Sequence, residues 1–112
     1  MALSEKHSNP ETAKMIENGL NDAIPYDFEL MDFNFNGDNG YGVIIACIKK
    51  GQHKEFVTWE FSAIDGEFSV FWGHYFPVFK GDSLWTEYGN AYADYFERAG
   101  IKIDSGRLVK TV

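Results

Sequence analysis

The spacing of apolar residues changes twice along the chain, which divides it into a helix, a set of strands and a second helix. Ala13, Ile16, Leu20 and Ala23 recur at intervals of three and four residues, as apolar residues do on one face of a helix. Asn9-Pro10-Glu11 ahead of them supplies a capping side chain, a proline for the first turn and an acid near the positive end of the helix dipole. We therefore predict a helix that begins there and is closed off by Pro25.

Between residues 26 and 76 the apolar period shortens to two, which predicts strands. The phase of this pattern slips near Leu30-Met31, which indicates either a β-bulge or a strand that begins later in the sequence. Val43–Ile48 is apolar on both faces, as is typical of a central strand that is covered from both sides. Asp65-Gly66 lies between two alternating segments and is a strong signal for a β-hairpin.

A two-residue turn at Asp65-Gly66 would also set the register of the strands that flank it. Counting outward from the turn gives the predicted pairs of one core face, which are Phe61 with Val70, Trp59 with Trp72, and Val57 with His74. The opposite face is polar but carries an aromatic stripe. The residues of that face that we expect to contact a partner are Phe56, Glu60, Glu67, Phe71 and Tyr75. The alternative is that the first helix or the C-terminal tail covers these aromatic side chains.

The last long element is an amphipathic helix between Gly81-Asp82-Ser83 and Gly100, which supply its start and stop signals. A short strand is expected at Ile101–Ile103. The predicted fold class is α+β, an antiparallel meander sheet of three to four strands with an N-terminal helix and a C-terminal amphipathic helix, both on one face. Residues 1–112 form a single domain in this interpretation, with a lead-in at 1–8 and a tail at 104–112.

The charge balance narrows the kinds of partner. Ten basic and seventeen acidic residues give a net charge of −7, which disfavours binding to duplex nucleic acid and favours a protein partner with a basic surface. Cys47 is the only cysteine, so the sequence has neither an internal disulfide nor a thiolate metal site. The N-terminus lacks the apolar segment of a signal peptide, and no apolar run approaches the roughly 20 residues that span a bilayer. We expect a cytoplasmic protein without cofactor or metal.

One segment, DFNFNGDNGYG at residues 32–42, resembles the start of a calcium-binding loop. Asp32, Asn34, Asn36 and Gly37 match positions 1, 3, 5 and 6 of an EF-hand, but position 12 is Val43 where a bidentate Glu is needed. As a phosphate-binding glycine loop, the segment lacks a following helix and a suitably spaced Lys. The interpretation that remains is a hairpin turn.

Histidine is the only residue type that suggests catalysis. His7, His53 and His74 lack the spacing of a metal site, and we expect His74 to lie at the end of the core. The functional alternative is that His74 acts as a general base with Glu60 or Glu67, although the predicted register puts these carboxylates on the other face. We therefore expect no catalytic residues.

Aromatic motifs in the second half of the chain carry a resemblance to a known group of proteins. The motifs are Thr58–Phe61, Gly66–Phe68, Trp72–Phe76 and Ala93–Arg98. Over residues 55–98 they resemble small uncharacterised proteins of phages and other mobile elements, which share a tryptophan hairpin with a Gly-His-Tyr-Phe strand and a closing helix. The resemblance implies a bacterial setting in which small acidic proteins often block host defence enzymes.

From sequence we therefore expect a small acidic, non-enzymatic protein-binding domain, an inhibitor of a host defence enzyme. One alternative is an immunity protein that neutralises a basic nuclease toxin, and another is a small enzyme that uses His74 with a carboxylate. The sequence leaves open the identity of the partner, the oligomeric state and the roles of Arg98 and Arg107.

Overall fold

The computed structural model describes residues 9–104 and 107–110, so the predicted lead-in at residues 1–8 lies outside the described residues. In chain order the elements are α1 (Pro10–Ala23), β1 (Asp27–Asn36), β2 (Tyr41–Lys50), β3 (His53–Ile64), β4 (Glu67–Val78), α2 (Leu84–Arg98), β5 (Ile101–Asp104) and β6 (Arg107–Lys110). The predicted α+β class, with a helix at each end of an antiparallel meander, is confirmed.

Four strands form the main sheet, in the order β1-β2-β3-β4, and every neighbouring pair is antiparallel. Since each strand lies beside the next one in sequence, consecutive turns fall at alternate ends of the sheet. A separate two-stranded sheet is formed by β5 and β6, whose backbones pair with each other, so β6 replaces part of the predicted tail. No helix among residues 9–104 and 107–110 is long and apolar enough to cross a membrane.

The central strand β2 is buried on both of its faces. Ile44, Ala46 and Ile48 pack on the side of α1, whereas Val43 and Ile45 pack on the side of α2. Each helix therefore covers one face of the sheet. The prediction that both helices lie on one face was wrong, because the two-sided apolar pattern of β2 needs a cover on each side.

The helix α1 begins at the predicted cap, where Asn9 Oδ1 accepts a hydrogen bond of 3.3 Å from the Thr12 backbone N–H. Three of the four residues predicted for its apolar face, Ala13, Ile16 and Leu20, are buried, whereas Ala23 at the last position of the helix is exposed. At Gly19 the helix backbone lies very close to β4, since a Cβ atom built there would be 2.4 Å from the Phe68 ring. Glycine thus allows a closer approach of helix and sheet than any other residue would.

The helix α2 begins at Ser83, whose Oγ accepts a hydrogen bond from the Thr86 backbone N–H at 3.3 Å. Ala91 and Tyr95 are its fully buried residues, and Tyr92 lies half-buried beside them. Burial, with a smaller contribution from nearby Tyr88, raises the pKa of the Tyr92 hydroxyl well above its usual value. This side of the helix is therefore shielded from water as a core face must be.

Two of the three hairpins of the main sheet contain an irregularity in register. Of the two explanations for the phase slip near Leu30-Met31, the structure shows the bulge, because β1 begins at Asp27 and its pairing with β2 shifts between Leu30 and Asp32. In the β3–β4 hairpin, Phe61 pairs with Val70 as predicted, but the register shifts between Thr58 and Glu60.

At this second irregularity Trp72 adopts a positive φ of 53°. The strand β4 thereby gains one extra residue, and Thr58, rather than Val57, lies opposite His74. The predicted pairs of Trp59 with Trp72 and of Val57 with His74 were wrong, because counting from the turn assumes an unbroken ladder.

Replacement by alanine should have opposite effects on stability at the two helical glycines, Gly19 and Gly89, because only Gly19 packs closely against β4. Gly89 lies in α2 with no atom within 4 Å of a built Cβ, so we expect Gly89→Ala to stabilise the protein by roughly 1 kcal/mol. Gly19→Ala should destabilise it by about 1–3 kcal/mol, because the added methyl group overlaps the Phe68 ring. Urea unfolding of the two variants measures both effects, and stabilisation by Gly19→Ala would contradict the observed packing.

Candidate functional site

The most connected polar cluster lies between α2 and the sheet. His74 Nδ1 is 2.9 Å from one carboxylate oxygen of Asp94 and 3.0 Å from the other. Thr58, which is fully buried in β3, donates a hydrogen bond of 2.5 Å from its Oγ1 to Asp94. Asp94 thus links α2 to both β3 and β4, and it holds the imidazole ring of His74 in one orientation.

Arg98 forms the other half of this cluster and is 9% exposed as a side chain. Its guanidinium donates to the Thr58 carbonyl oxygen at 3.0 Å, to Thr58 Oγ1 at 2.9 Å and to the Glu60 carboxylate at 2.9 Å. A further hydrogen bond goes to the backbone carbonyl oxygen of Trp72, at the bulge of β4. One side chain therefore joins α2 to two strands.

Local sequence explains why these groups meet. Asp94 and Arg98 are four residues apart and lie on the same side of α2. The bulge at Trp72 turns His74 towards that side, where the sequence had placed it on the other face. The alternative pairing of His74 with Glu60 or Glu67 is replaced by a pairing with Asp94, and Glu60 instead holds Arg98.

The five predicted interaction residues do not form one surface. Phe56 is 5% exposed and lies edge-on to Tyr88 of α2, so a helix covers this part of the aromatic stripe. The cover is α2, whereas the alternative drawn from the sequence named the first helix or the C-terminal tail. Phe71 is half-buried, with its ring centroid 5.2 Å from that of Trp72.

The remaining predicted interaction residues do not all lie on the same face of the main sheet. Because of the bulge, Tyr75 lies opposite Val57 and faces the side of α1, where it is 51% exposed. Its hydroxyl accepts a hydrogen bond of 3.4 Å from Trp59 Nε1. Glu67 lies next to the hairpin turn and is exposed. The prediction of a shared face was therefore wrong for Tyr75.

Tyr75 belongs to a charged cluster at the end of the sheet that carries the β2–β3 turn. The Lys50 ammonium lies 5.2 Å from the centroid of Tyr26 and 5.3 Å from that of Tyr75, and it forms a 3.0 Å ion pair with Glu55. Its hydrogen bond with Glu55 raises the pKa of Lys50. Glu55 is 6% exposed, so Lys50 serves to neutralise a buried carboxylate, and its charge is not available to a binding partner.

A groove on the α1 side brings together residues that sequence reasoning missed. It has a volume of about 720 Å³ and lies between α1 and the β3–β4 hairpin. Met15, Phe35 and Phe68 contribute half-buried apolar surface to its lining, and two exposed acidic residues, Asp22 and Glu67, also line it. Neither carboxylate forms an ion pair with another residue of the described part of the chain.

The 32–42 segment has the turn structure that the sequence favoured. Asn36 Oδ1 accepts from the Asp38 backbone N–H at 2.9 Å, and Asn39 Oδ1 accepts from the Tyr41 backbone N–H at 3.0 Å. These side chains stabilise the β1–β2 turn from within. Within residues 9–104 and 107–110, no group of three or more His, Cys, Asp or Glu side chains is arranged to hold a metal ion.

Comparison with known proteins does not identify a function for this cluster or for the groove. No protein-family model matches the sequence, and no curated protein or solved structure shows a significant similarity to it. Function must therefore be inferred from the sites themselves.

The position of Arg98 predicts a large and specific effect on stability. We expect Arg98→Gln to lower the free energy of unfolding by about 2–3 kcal/mol, because Glu60 and the Thr58 and Trp72 carbonyl oxygens lose a charged donor. Glu97→Gln removes a charge from the neighbouring, exposed residue and should change stability by less than about 0.5 kcal/mol. Chemical unfolding of both variants tests this, and equal effects would contradict the role given to Arg98.

Proposed function

We propose that this protein is a non-enzymatic binding domain that holds a positively charged segment of a larger protein in the groove between α1 and the β3–β4 hairpin. The observation that carries the proposal is the combination of apolar lining and exposed carboxylates in one groove of about 720 Å³. Such a groove suits an extended segment that inserts an apolar side chain and pairs a Lys or Arg with each carboxylate.

The charge distribution supports this choice of partner. Asp22 and Glu67 belong to the groove, and Asp38 and Asp65 lie in the two turns at the same end of the sheet. This concentration of acids accompanies a net charge of −7 for the chain. A negative surface accelerates association with a basic protein and makes the affinity dependent on salt.

The wider role that fits such a domain is inhibition of a host enzyme. It rests on the resemblance of residues 55–98 to proteins of phages and mobile elements, together with the acidic surface. An immunity protein that neutralises a basic nuclease toxin would use the same groove and the same charges. The identity of the captured protein separates the two roles, since the second requires a toxin encoded beside this chain.

Affinity capture followed by titration tests the groove directly. Proteins captured from bacterial lysate are identified by mass spectrometry, and the purified partner is then titrated against wild type and against Asp22→Lys/Glu67→Lys. Reversal of both charges should weaken binding by at least about tenfold, which corresponds to about 1.4 kcal/mol. The dissociation constant of the wild type should also rise with salt.

The matched control is Glu29→Lys/Glu97→Lys, which changes the net charge equally at exposed positions outside the groove lining. This control should bind as the wild type does. Tyr75→Ala tests a residue that the sequence predicted to contact the partner. Tyr75 lies outside the groove lining. Failure to recover a partner at low and moderate salt, or equal binding by both charge-reversed variants, would overturn the proposal.

A second candidate function is acid–base catalysis by His74, which its contact with Asp94 supports. In that arrangement the carboxylate holds Nδ1, and Nε2 is the ring nitrogen available to a substrate. The His74 side chain is 53% exposed, so a substrate can reach it from solution.

Two chromogenic probes, p-nitrophenyl acetate and bis(p-nitrophenyl) phosphate, test this candidate. If His74 is catalytic, His74→Gln and Asp94→Asn should each lower turnover by about a hundredfold. His53→Gln is the control, because His53 lies at the first position of β3 and pairs with Glu55 rather than with Asp94. Turnover that is absent in wild type or unchanged in His74→Gln would reject catalysis with these substrates.

A further inference from the structure

A second cavity lies at the end of the sheet that carries the β2–β3 turn and the β4–α2 loop. Its volume is about 480 Å³, which is within the range of about 300–1,000 Å³ typical of small-molecule sites. Its lining includes two lysines, Lys54 and Lys80, the rings of His53 and Phe79, and the aliphatic side chain of Leu84.

The charge at this end differs from that of the whole chain. Four of the ten basic residues, Lys49, Lys50, Lys54 and Lys80, lie in or beside the β2–β3 turn and the β4–α2 loop. Lys49 and Lys54 are direct cross-strand partners, an arrangement of like charges that costs stability. An anion bound beside Lys54 would relieve that repulsion.

The neighbouring carboxylates leave these cations partly uncompensated. Glu55 is committed to Lys50 at 3.0 Å, and Asp82 uses one oxygen to accept from the Phe79 backbone N–H at 3.0 Å. Asp27 is the cross-strand partner of Lys49 on its other side. Lys54 and Lys80 form no ion pair with other residues of the part of the chain that the structure describes.

Aromatic surface lies directly beside these cations. The Phe79 ring is 55% exposed, and its centroid is 4.8 Å from that of the His53 ring. Trp85, which follows the cavity residue Leu84, is 75% exposed. Exposed rings next to lysines suit a ligand that joins a planar heterocycle to phosphate, because the heterocycle stacks and the phosphate pairs with the cations.

From this combination we propose that the cavity binds a free nucleoside di- or triphosphate. The phosphates lie against Lys54 and Lys80, and the base stacks on Phe79. A short ligand is favoured over a nucleic-acid strand because screening confines electrostatic effects to about 8 Å at physiological salt. A small anion therefore responds to the local lysines, whereas a strand extends over a chain that carries a net charge of −7.

This inference does not depend on the protein-binding groove, because the two sites share no lining residue. The acidic groove lies beside the β3–β4 turn, and the nucleotide cavity lies at the end with the β2–β3 turn.

The test uses the full chain labelled with ¹⁵N and three probes, namely adenosine diphosphate, adenosine and inorganic pyrophosphate. Adenosine diphosphate should shift the amide signals of Lys54, Phe79, Lys80 and Leu84, with an affinity that falls as salt rises. Lys54→Gln/Lys80→Gln should raise its dissociation constant about tenfold or more, as expected when charge-assisted contacts are lost. Phe79→Leu should weaken binding of the nucleotide while leaving that of pyrophosphate unchanged.

Two controls separate this site from general charge effects and from the groove. Lys14→Gln removes a charge from an exposed residue of α1 and should leave nucleotide binding unchanged. Asp22→Lys/Glu67→Lys should also leave it unchanged, whatever its effect on the protein partner. Unaltered amide dispersion in each variant establishes that it is folded.

Three results would overturn the proposal. The first is the absence of localised shifts at millimolar adenosine diphosphate. The second is equal affinity for pyrophosphate and adenosine diphosphate, which would mean that the rings contribute nothing. The third is tighter binding of a thymidine octanucleotide, with shifts that extend along α2, which would make a single strand the ligand.

Discussion

Burial of β2 and β3 on both faces is the constraint on which the rest of this structure depends. Adjacent residues of β2 such as Ile44 and Ile45 are fully buried although their side chains point to opposite sides of the sheet. Two separate covers are required, and a single helix can provide only one of them. The placement of α1 and α2 on opposite faces of the sheet follows from this requirement.

The bulge in β4 decides which polar groups meet α2. One extra residue at Trp72 reverses the faces of all the residues that follow it in the strand. His74 is thereby directed to Asp94, and the Trp72 carbonyl oxygen becomes an acceptor for Arg98. A local irregularity of backbone thus creates the contacts that hold the C-terminal helix, and the same irregularity gives His74 its carboxylate partner.

The meander topology separates the charges of the domain into two ends. The β1–β2 and β3–β4 turns lie together and contribute Asp38, Asp65 and Glu67, whereas the β2–β3 turn and the following loop contribute lysines. The net charge of −7 therefore does not describe either end of the sheet, because one end carries acidic turn residues and the other carries lysines. The proposed protein-binding groove and the proposed nucleotide cavity belong to different ends, and each can be altered without the other.

The sequence by itself determined the two helices and the main hairpins, because helix caps, apolar periods and the Asp65-Gly66 turn act over a few residues. The sequence also contained the two-sided apolar pattern of Val43–Ile48. This pattern requires a helix on each face of the sheet, which became evident only in the tertiary structure. Of the expected contact residues, Glu67 reached an open groove, while Phe56 was buried and Tyr75 changed face. Only the tertiary structure could decide these positions, because a one-residue bulge inverts a register and residues distant in sequence, such as Met15 and Phe68, form a groove only after packing.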